Sequence, residues 1–269
     1  MNKMNFVRRV WLLKLSLILS GTLSVCGELK EFIDLGHGLD NSTVSWHDEK
    51  TFESNVSVFS KPFHYAMGEF STPEHVGTHL DAPFHFWKDG WRVGQIPLKH
   101  LILPGVLIDV SQKVGDNRDF LLTSENLSDW ERDNGALDQD KKFILLVNFG
   151  WADRYVNRTD YFGIGLKQFE PKSAQFPGIG ESAANWIASK GNIVGVGVDT
   201  ASVDSGNDAS AVTHRILALK NIYNLENVAL AGKNLPSKGF YLIVLPMKLT
   251  YGTGGPVRII AAPESLNQS

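Results

Sequence analysis

Apolar, β-branched residues gather in five short runs: Gly105–Val110, Lys142–Phe149, Asn192–Asp199, Phe240–Pro246 and Val257–Ala262. Each is bounded by Gly, Pro or Asp and is too short for a typical helix, so each predicts a buried strand. Gly195 and Gly197 interrupt one of these runs and predict close backbone packing there. Helical spacing appears over Glu181–Lys190, which stops before Gly191, and over Thr213–Leu219. A third helix is predicted from Thr123 to Trp130, with Thr123 or Ser124 as its cap and Glu125 in its first turn. Strands outnumber helices, which predicts an α/β domain with a sheet-rich core. No internal repeat or low-complexity linker divides the chain, and 269 residues suit one domain.

The N-terminus departs from this pattern. Lys3, Arg8, Arg9 and Lys14 flank or interrupt an apolar run from Val10 to Val25, and no acidic residue precedes Glu28. A basic region, an apolar region and small residues near Ser24 and Cys26 predict a secretory signal peptide over residues 1–26, with the domain over residues 27–269. Lys14 makes the run a poor membrane-spanning helix, which leaves an uncleaved anchor as the lesser alternative. Removing residues 1–26 takes away four positive and no negative charges, so the formal charge moves from −3 to −7. Cys26 is the only cysteine, and its loss leaves neither a disulfide nor a thiolate ligand. Sequons at Asn41, Asn55, Asn126 and Asn157 fit a secretory route, and glycans attached there would require those segments to face solvent. Charged residues are 20% of the chain without a basic patch, which points away from nucleic acid.

The densest chemistry is the stretch HVGTHLDAPFH, residues 75–85. Three imidazoles and a carboxylate in eleven residues are the donor types that Zn and Mn accept. His79 and Asp81 are two apart, so on a strand they point the same way with Cα atoms roughly 6.6 Å apart. His75 shares their parity, but a straight strand would leave it roughly 13 Å from His79. The chain must bend between them, and Gly77 permits the necessary dihedrals. Pro83 ends regular structure before His85, so His85 approaches from another direction. After Pro83 a strand-like turn would alternate Phe84 and Phe86 away from His85. No G-x-S-x-G elbow, Walker loop or dinucleotide glycine motif is present.

This stretch resembles the pattern H-x-G-T-H-x-D-x-P-x-H of the cyclase-like metal-dependent hydrolases, a family that includes bacterial-type kynurenine formamidases and isatin hydrolases. A second block agrees, His214-Arg215 followed by Glu226-Asn227, as do DLGHGLD, FPGIGESAANWI, GVGVDTASVD and GGPVRIIA. The resemblance runs from about residue 30 to 263. It implies a swivelling β/β/α single domain assembled as a homo-oligomer, and one or two divalent ions, Zn or Mn. The ligands it implies are His75, His79, Asp81, His214 and Glu226, with His85 as general acid and base. Read without the family, Glu226 would be the solvated end of a helix.

Trp46, Phe84, Phe86, Trp87 and Trp151 are candidate walls of a pocket for an aromatic acyl substrate. Two departures from the family are Gly36 in Asp34-Leu35-Gly36-His37, where serine is common, and Asn148-Phe149-Gly150-Trp151 in place of T-G-W. His37 itself reads as structural. The implied activity is hydrolysis of a C–N bond in an amide, formamide or lactam, with N-formylkynurenine, from tryptophan catabolism to kynurenine, as the leading substrate. The alternatives are a secreted, non-catalytic member that binds a small ligand or protein, and a cyclase or dehydratase using the same metal and base.

Overall fold

Seven strands close on themselves in the computed structural model, which describes residues 29–46, 52–164 and 173–264. The segment expected to be a signal peptide, residues 1–26, lies outside them. In chain order the strands are β1 (Ile33–Asp34), β2 (Glu53–Phe59), β3 (Tyr65–Ser71), β4 (His79–Asp81), β5 (Ile102–Asp109), β6 (Leu121–Leu122), β7 (Phe143–Asn148), β8 (Gly178–Ile179), β9 (Ile193–Val198), β10 (Tyr223–Glu226), β11 (Phe240–Pro246) and β12 (Gly254–Pro263). The helices are α1 (Ser111–Val114), α2 (Ser124–Asn134), α3 (Arg158–Phe162), α4 (Glu181–Lys190) and α5 (Val212–Ala218). The ring runs β12-β11-β5-β7-β9-β10-β4, and β4 pairs again with β12 to close it. No described helix is long and apolar enough to cross a membrane.

Strands β5, β7, β9 and β10 are parallel, and the remaining ring pairings are antiparallel. A parallel strand covered on both faces needs apolar residues at every position, which is why these segments read as runs without alternation. Along β7, Ile144 and Leu146 point into the barrel with Leu80, Leu107, Tyr223, Leu225, Phe240, Leu242 and Ile259. Leu145 and Val147 point outward to a second core with Val106, Ile108, Val196 and Val198, where α2 contributes Leu127 and Trp130 and α4 contributes Ala183, Ala184 and Ile187. Gly195 and Gly197 make room inside: a Cβ on either would lie 2.4 Å from the Tyr223 ring or 2.5 Å from Leu146.

Helix boundaries follow local chemistry. Thr123 caps α2 by accepting from Asn126 N, while the Asn126 side chain accepts from Thr123 N. Glu181 lies in the first turn of α4, and Gly191 ends it in the left-handed region at φ 71°.

The hairpin β2–β3 stands apart, with all seven residues of each strand exposed. Opposite pairs Ser54–Phe70, Val56–Gly68 and Val58–Ala66 share one uncharged face, whereas Glu53–Ser71 and Asn55–Glu69 lie on the other. The sequon at Asn55 is therefore on the polar face.

Candidate metal centre

Strand register brings the centre together. In the antiparallel pairing of β4 with β10, His79 faces Glu226, so the two side chains leave the same side of the sheet. Asp81 shares that side, while Leu80 and Leu225 turn into the barrel. Gly77, at φ 57°, supplies the bend before the strand. Asn227 Nδ2 donates to the Gly77 carbonyl at 2.8 Å, and Thr78 Oγ1 donates to the Asn227 carbonyl at 2.7 Å. The bend returns His75 to the site, where Nδ1 lies 2.5 Å from Asp81 Oδ1.

The chain after β4 corrects one expectation. Pro83 does not merely stop a strand; it opens a 3-10 turn, Pro83–His85, where its fixed φ and missing N–H cost nothing. This turn lays His85 over His75 with ring centroids 4.0 Å apart. It also sends Phe84 away from the cavity, under the Arg92 guanidinium at 3.4 Å. Phe86 stays at the mouth, its ring 4.3 Å from that of His214.

His214 arrives on α5. Asp204 fixes it three times, accepting from Thr213 N at 2.6 Å, from His214 N at 3.3 Å and from His214 Nδ1 at 2.5 Å. The same carboxylate thus caps the helix and orients the ring, leaving Nε2 3.1 Å from both Asp81 Oδ2 and Glu226 Oε1. His79 Nδ1 donates to the Gly77 carbonyl at 2.9 Å, and its Nε2 lies 3.2 Å from Asp81 Oδ1 and 3.3 Å from Glu226 Oε2. Asp81 therefore offers one oxygen to His75 and His79 and the other to His214. Two candidate ligand sets result, His75–His79–Asp81 and Asp81–His214–Glu226, with the atoms of each within 4.8 Å of one another.

Electrostatics shows what the cluster attracts. Asp81, Asp204 and Glu226 are all buried, and no lysine or arginine among the described residues pairs with them. Burial opposes charge on His79, yet Asp81 and Glu226 push it up to about 10. Burial likewise opposes charge on His214, and Asp204, Asp81 and Glu226 hold it well above the usual imidazole range. Those imidazoles in turn keep Asp81 well below the ordinary carboxylate value against its own desolvation. A divalent cation bound by these nitrogens and oxygens would compensate the buried charge directly. Three imidazoles and two carboxylates fit Zn or Mn, and the shared Asp81 fits one ion or two. His85 differs: burial dominates over Asp81 and lowers it, so it is neutral at physiological pH.

The cavity beside this cluster has a volume of about 270 Å³ and is lined by His75, His79, Asp81, His85, His214 and Glu226 together with Trp46, Phe86, Ser202, Asp204, Ser205 and Asp208. Of the five aromatic candidates, Trp46 and Phe86 line it. Phe84 and Trp87 lie outside it. Trp151 is fully buried in the outer core, donating its indole N–H to the Tyr161 carbonyl at 2.9 Å. Its loop belongs to Asp199, which accepts from the backbone of Phe149, Trp151 and Ala152. Glu226 is a buried strand end, not the solvated helix end its isolated sequence suggests. His37 is structural, stacked on Tyr155 at 3.6 Å.

Asp204 and Ser202 carry no spacing signal in the sequence. Asp204 lies ten residues before His214, and only the return of the chain after β9 joins them.

A buried imidazole–carboxylate centre, open to a cavity beside a neutral histidine, is the arrangement of a metal-dependent hydrolase. The chain belongs to the Cyclase family ("Putative cyclase"), which it matches over residues 33–205. It is 29% identical over 237 residues to a kynurenine formamidase of Bacillus cereus, covering 87% of this chain and 98% of that protein. It is 30% identical over 197 residues to an isatin hydrolase of Roseibium aggregatum, covering 70% of this chain and 71% of the relative. A solved isatin hydrolase bound to the product analogue thioisatinate matches with a TM-score of 0.74 and 26% identity, over 98% of this chain and 100% of that one.

Proposed function

We propose that this chain hydrolyses the acyl C–N bond of an aromatic formamide, with N-formylkynurenine as the leading substrate, using one or two divalent ions, Zn or Mn. The observation that carries the reading is the shared Asp81, which joins two ligand sets at the floor of a cavity edged by His85. When bound, a divalent ion polarises the acyl carbonyl and lowers the pKa of water. The protein's own groups supply the rest. His85, neutral and accessible at the edge of the cavity, accepts a proton from the attacking water and returns it to the leaving nitrogen. Trp46 and Phe86 offer flat apolar faces for an aromatic ring. His75, stacked on His85, holds the shuttle over the ligands.

The test is a hydrolysis screen with the metal-loaded protein over aryl formamides, isatin-type lactams and aryl esters. The reading expects the formamide to be turned over fastest. Lactam opening in preference would shift the substrate toward that of the isatin hydrolases. Metal binding without turnover of any acyl compound would favour a ligand-binding protein.

The proposal extends to compartment and assembly. Residues 1–26 read as a signal peptide for the secretory lumen, and the exposed sequons Asn41, Asn55 and Asn157, with half-buried Asn126, are compatible with glycans. N-terminal sequencing and deglycosylation of protein from a eukaryotic secretory host test this. A homo-oligomer accounts for the β2–β3 hairpin, since a two-stranded ribbon with no core beneath it is marginal alone. Val56, Val58 and Phe70, each more than half exposed, lie on the uncharged face, while Phe59, Tyr65 and Met67, about half exposed, lie on the face of Glu53 and Glu69. The uncharged face can pack against its own copy without burying a charge.

A further inference from the structure

His75 uses the opposite ring nitrogen from His79 and His214, and two residues outside the ligand set account for the difference. Its Nε2 lies 2.8 Å from Thr253 Oγ1, across 178 positions of sequence. Thr253 Oγ1 in turn lies 2.6 Å from Glu74 Oε2, an oxygen that also accepts from Thr253 N at 2.8 Å and Gly254 N at 3.2 Å. A carboxylate only accepts, and a threonine hydroxyl has one proton to give. That proton goes to Glu74, so the hydroxyl receives the Nε2 proton of His75. Nδ1 lies 2.5 Å from Asp81 Oδ1, a contact that needs a shared proton in the metal-free protein and that a bound cation would replace, taking the Nδ1 lone pair of the Nε2-protonated ring. His79 and His214 have the reverse arrangement, since both donate through Nδ1 and present Nε2.

We propose that Glu74 and Thr253 are positioning residues that fix the His75 tautomer and so select Nδ1 as its ligand atom. The assignment rests on reading the cluster as a divalent centre. A further feature fits it. Gly254 also clears the space the ring needs in this orientation, because a Cβ there would lie 2.5 Å from His75 Cε1 and 2.7 Å from the Leu80 carbonyl. The dipeptide Thr253-Gly254 thus seats His75 from one side while Glu74 anchors the dipeptide.

The experiment is ¹⁵N NMR of ring-labelled histidines in the metal-free and zinc-bound protein, with zinc affinity from chelator competition. The parent should show a proton on His75 Nε2 in both states and a metal-bound Nδ1 with zinc. Thr253→Val should lose zinc affinity by about 10- to 100-fold, the range for outer partners of metal ligands. Thr253→Ser should restore it to within a few-fold. Glu74→Gln still offers an oxygen to Thr253 N, Gly254 N and the hydroxyl, so His75 should keep its Nε2 proton; Glu74→Ala removes that acceptor and frees the Thr253 proton for Nε2, and His75 should then carry its proton on Nδ1. Thermal melts of the variants confirm folding, and Glu74→Ala keeps the test available if Thr253→Val does not fold. Zinc ligation through His75 Nε2, or a Thr253→Val protein with the parent's affinity and ring assignment, would overturn the proposal. A parent that keeps the Nε2 proton but binds no zinc would overturn the divalent-centre reading and leave the tautomer assignment standing.

Discussion

Replacing Asp204 by asparagine changes one oxygen to an amide nitrogen and leaves the shape alone. In the parent, Asp204 Oδ1 accepts from Thr213 N, while Oδ2 accepts from His214 N and Nδ1. An amide has one oxygen to serve both sides. If it stays with the helix, the new NH₂ group faces His214 Nδ1, which must become an acceptor. The ring proton then moves to Nε2 and occupies the position 3.1 Å from Asp81 Oδ2 and Glu226 Oε1, where a cation would bind. If the amide turns over, His214 keeps its tautomer and the first turn of α5 loses an acceptor. The first outcome costs about 10- to 100-fold in metal affinity, or roughly 1.4–2.8 kcal/mol. The second costs about 1–2 kcal/mol of stability, a few degrees of melting temperature for a domain of this size. Zinc affinity by chelator competition and melting of the metal-free protein separate the two. A folded Asp204→Asn protein with parental zinc affinity and melting temperature would refute the reasoning, because neither job of the carboxylate would then matter.

Three other outcomes follow from the same geometry. His85→Ala should keep most of its bound metal yet lose roughly 10²–10⁴ in turnover of an amide, and lose less on an activated ester whose leaving group needs no proton; full amide activity in that variant would remove His85 from the chemistry. His37 is lowered to about 4, first by burial and then by Lys233. A depressed imidazole means the folded state binds fewer protons than the unfolded state, so its contribution is present above about pH 6.5 and is lost as pH falls toward 4. After allowance for its exposure this amounts to about 1 kcal/mol, and His37→Phe should flatten the denaturation midpoint across that window; an unchanged acid slope would contradict it. Val56→Lys with Val58→Lys on the β2–β3 hairpin should lower the mass measured by light scattering while leaving the fold intact; a monomeric parent, or an unchanged oligomer, would remove the hairpin from the assembly.

The parallel core was legible in the sequence because buried strands must be apolar throughout. Four of the five runs begin or end within about three residues of the observed strands, and Phe240–Pro246 coincides. The hairpin β2–β3 was not, since its residues satisfy no core and alternate weakly. Strands β4 and β10 were missed as strands because they are short and carry chemistry: HLD and YNLE spend polar side chains on the site. The candidate ligands could nevertheless be picked out, as His79 and Asp81 report their shared face by parity and Gly77 reports the bend. Asp204 stayed hidden because only the return of the chain after β9 joins it to His214, and Glu74 and Thr253 because their contacts depend on ring closure. Trp151 misled for a related reason. Its neighbourhood resembles a family block near the site, but Asp199 folds that block inward and the indole becomes core.

The measurement that tests the account most directly is a divalent-metal titration of chelator-stripped protein, with N-formylkynurenine hydrolysis and bound metal read together, in the parent and in Asp81→Ala. The stripped parent should be inactive, and activity should rise with Zn or Mn to a plateau at one or two ions per chain. Asp81→Ala, which removes the ligand shared by both sets, should bind no tight ion and recover no activity. Hydrolysis by the stripped protein, or a folded Asp81→Ala protein that binds metal and turns over like the parent, would contradict the account.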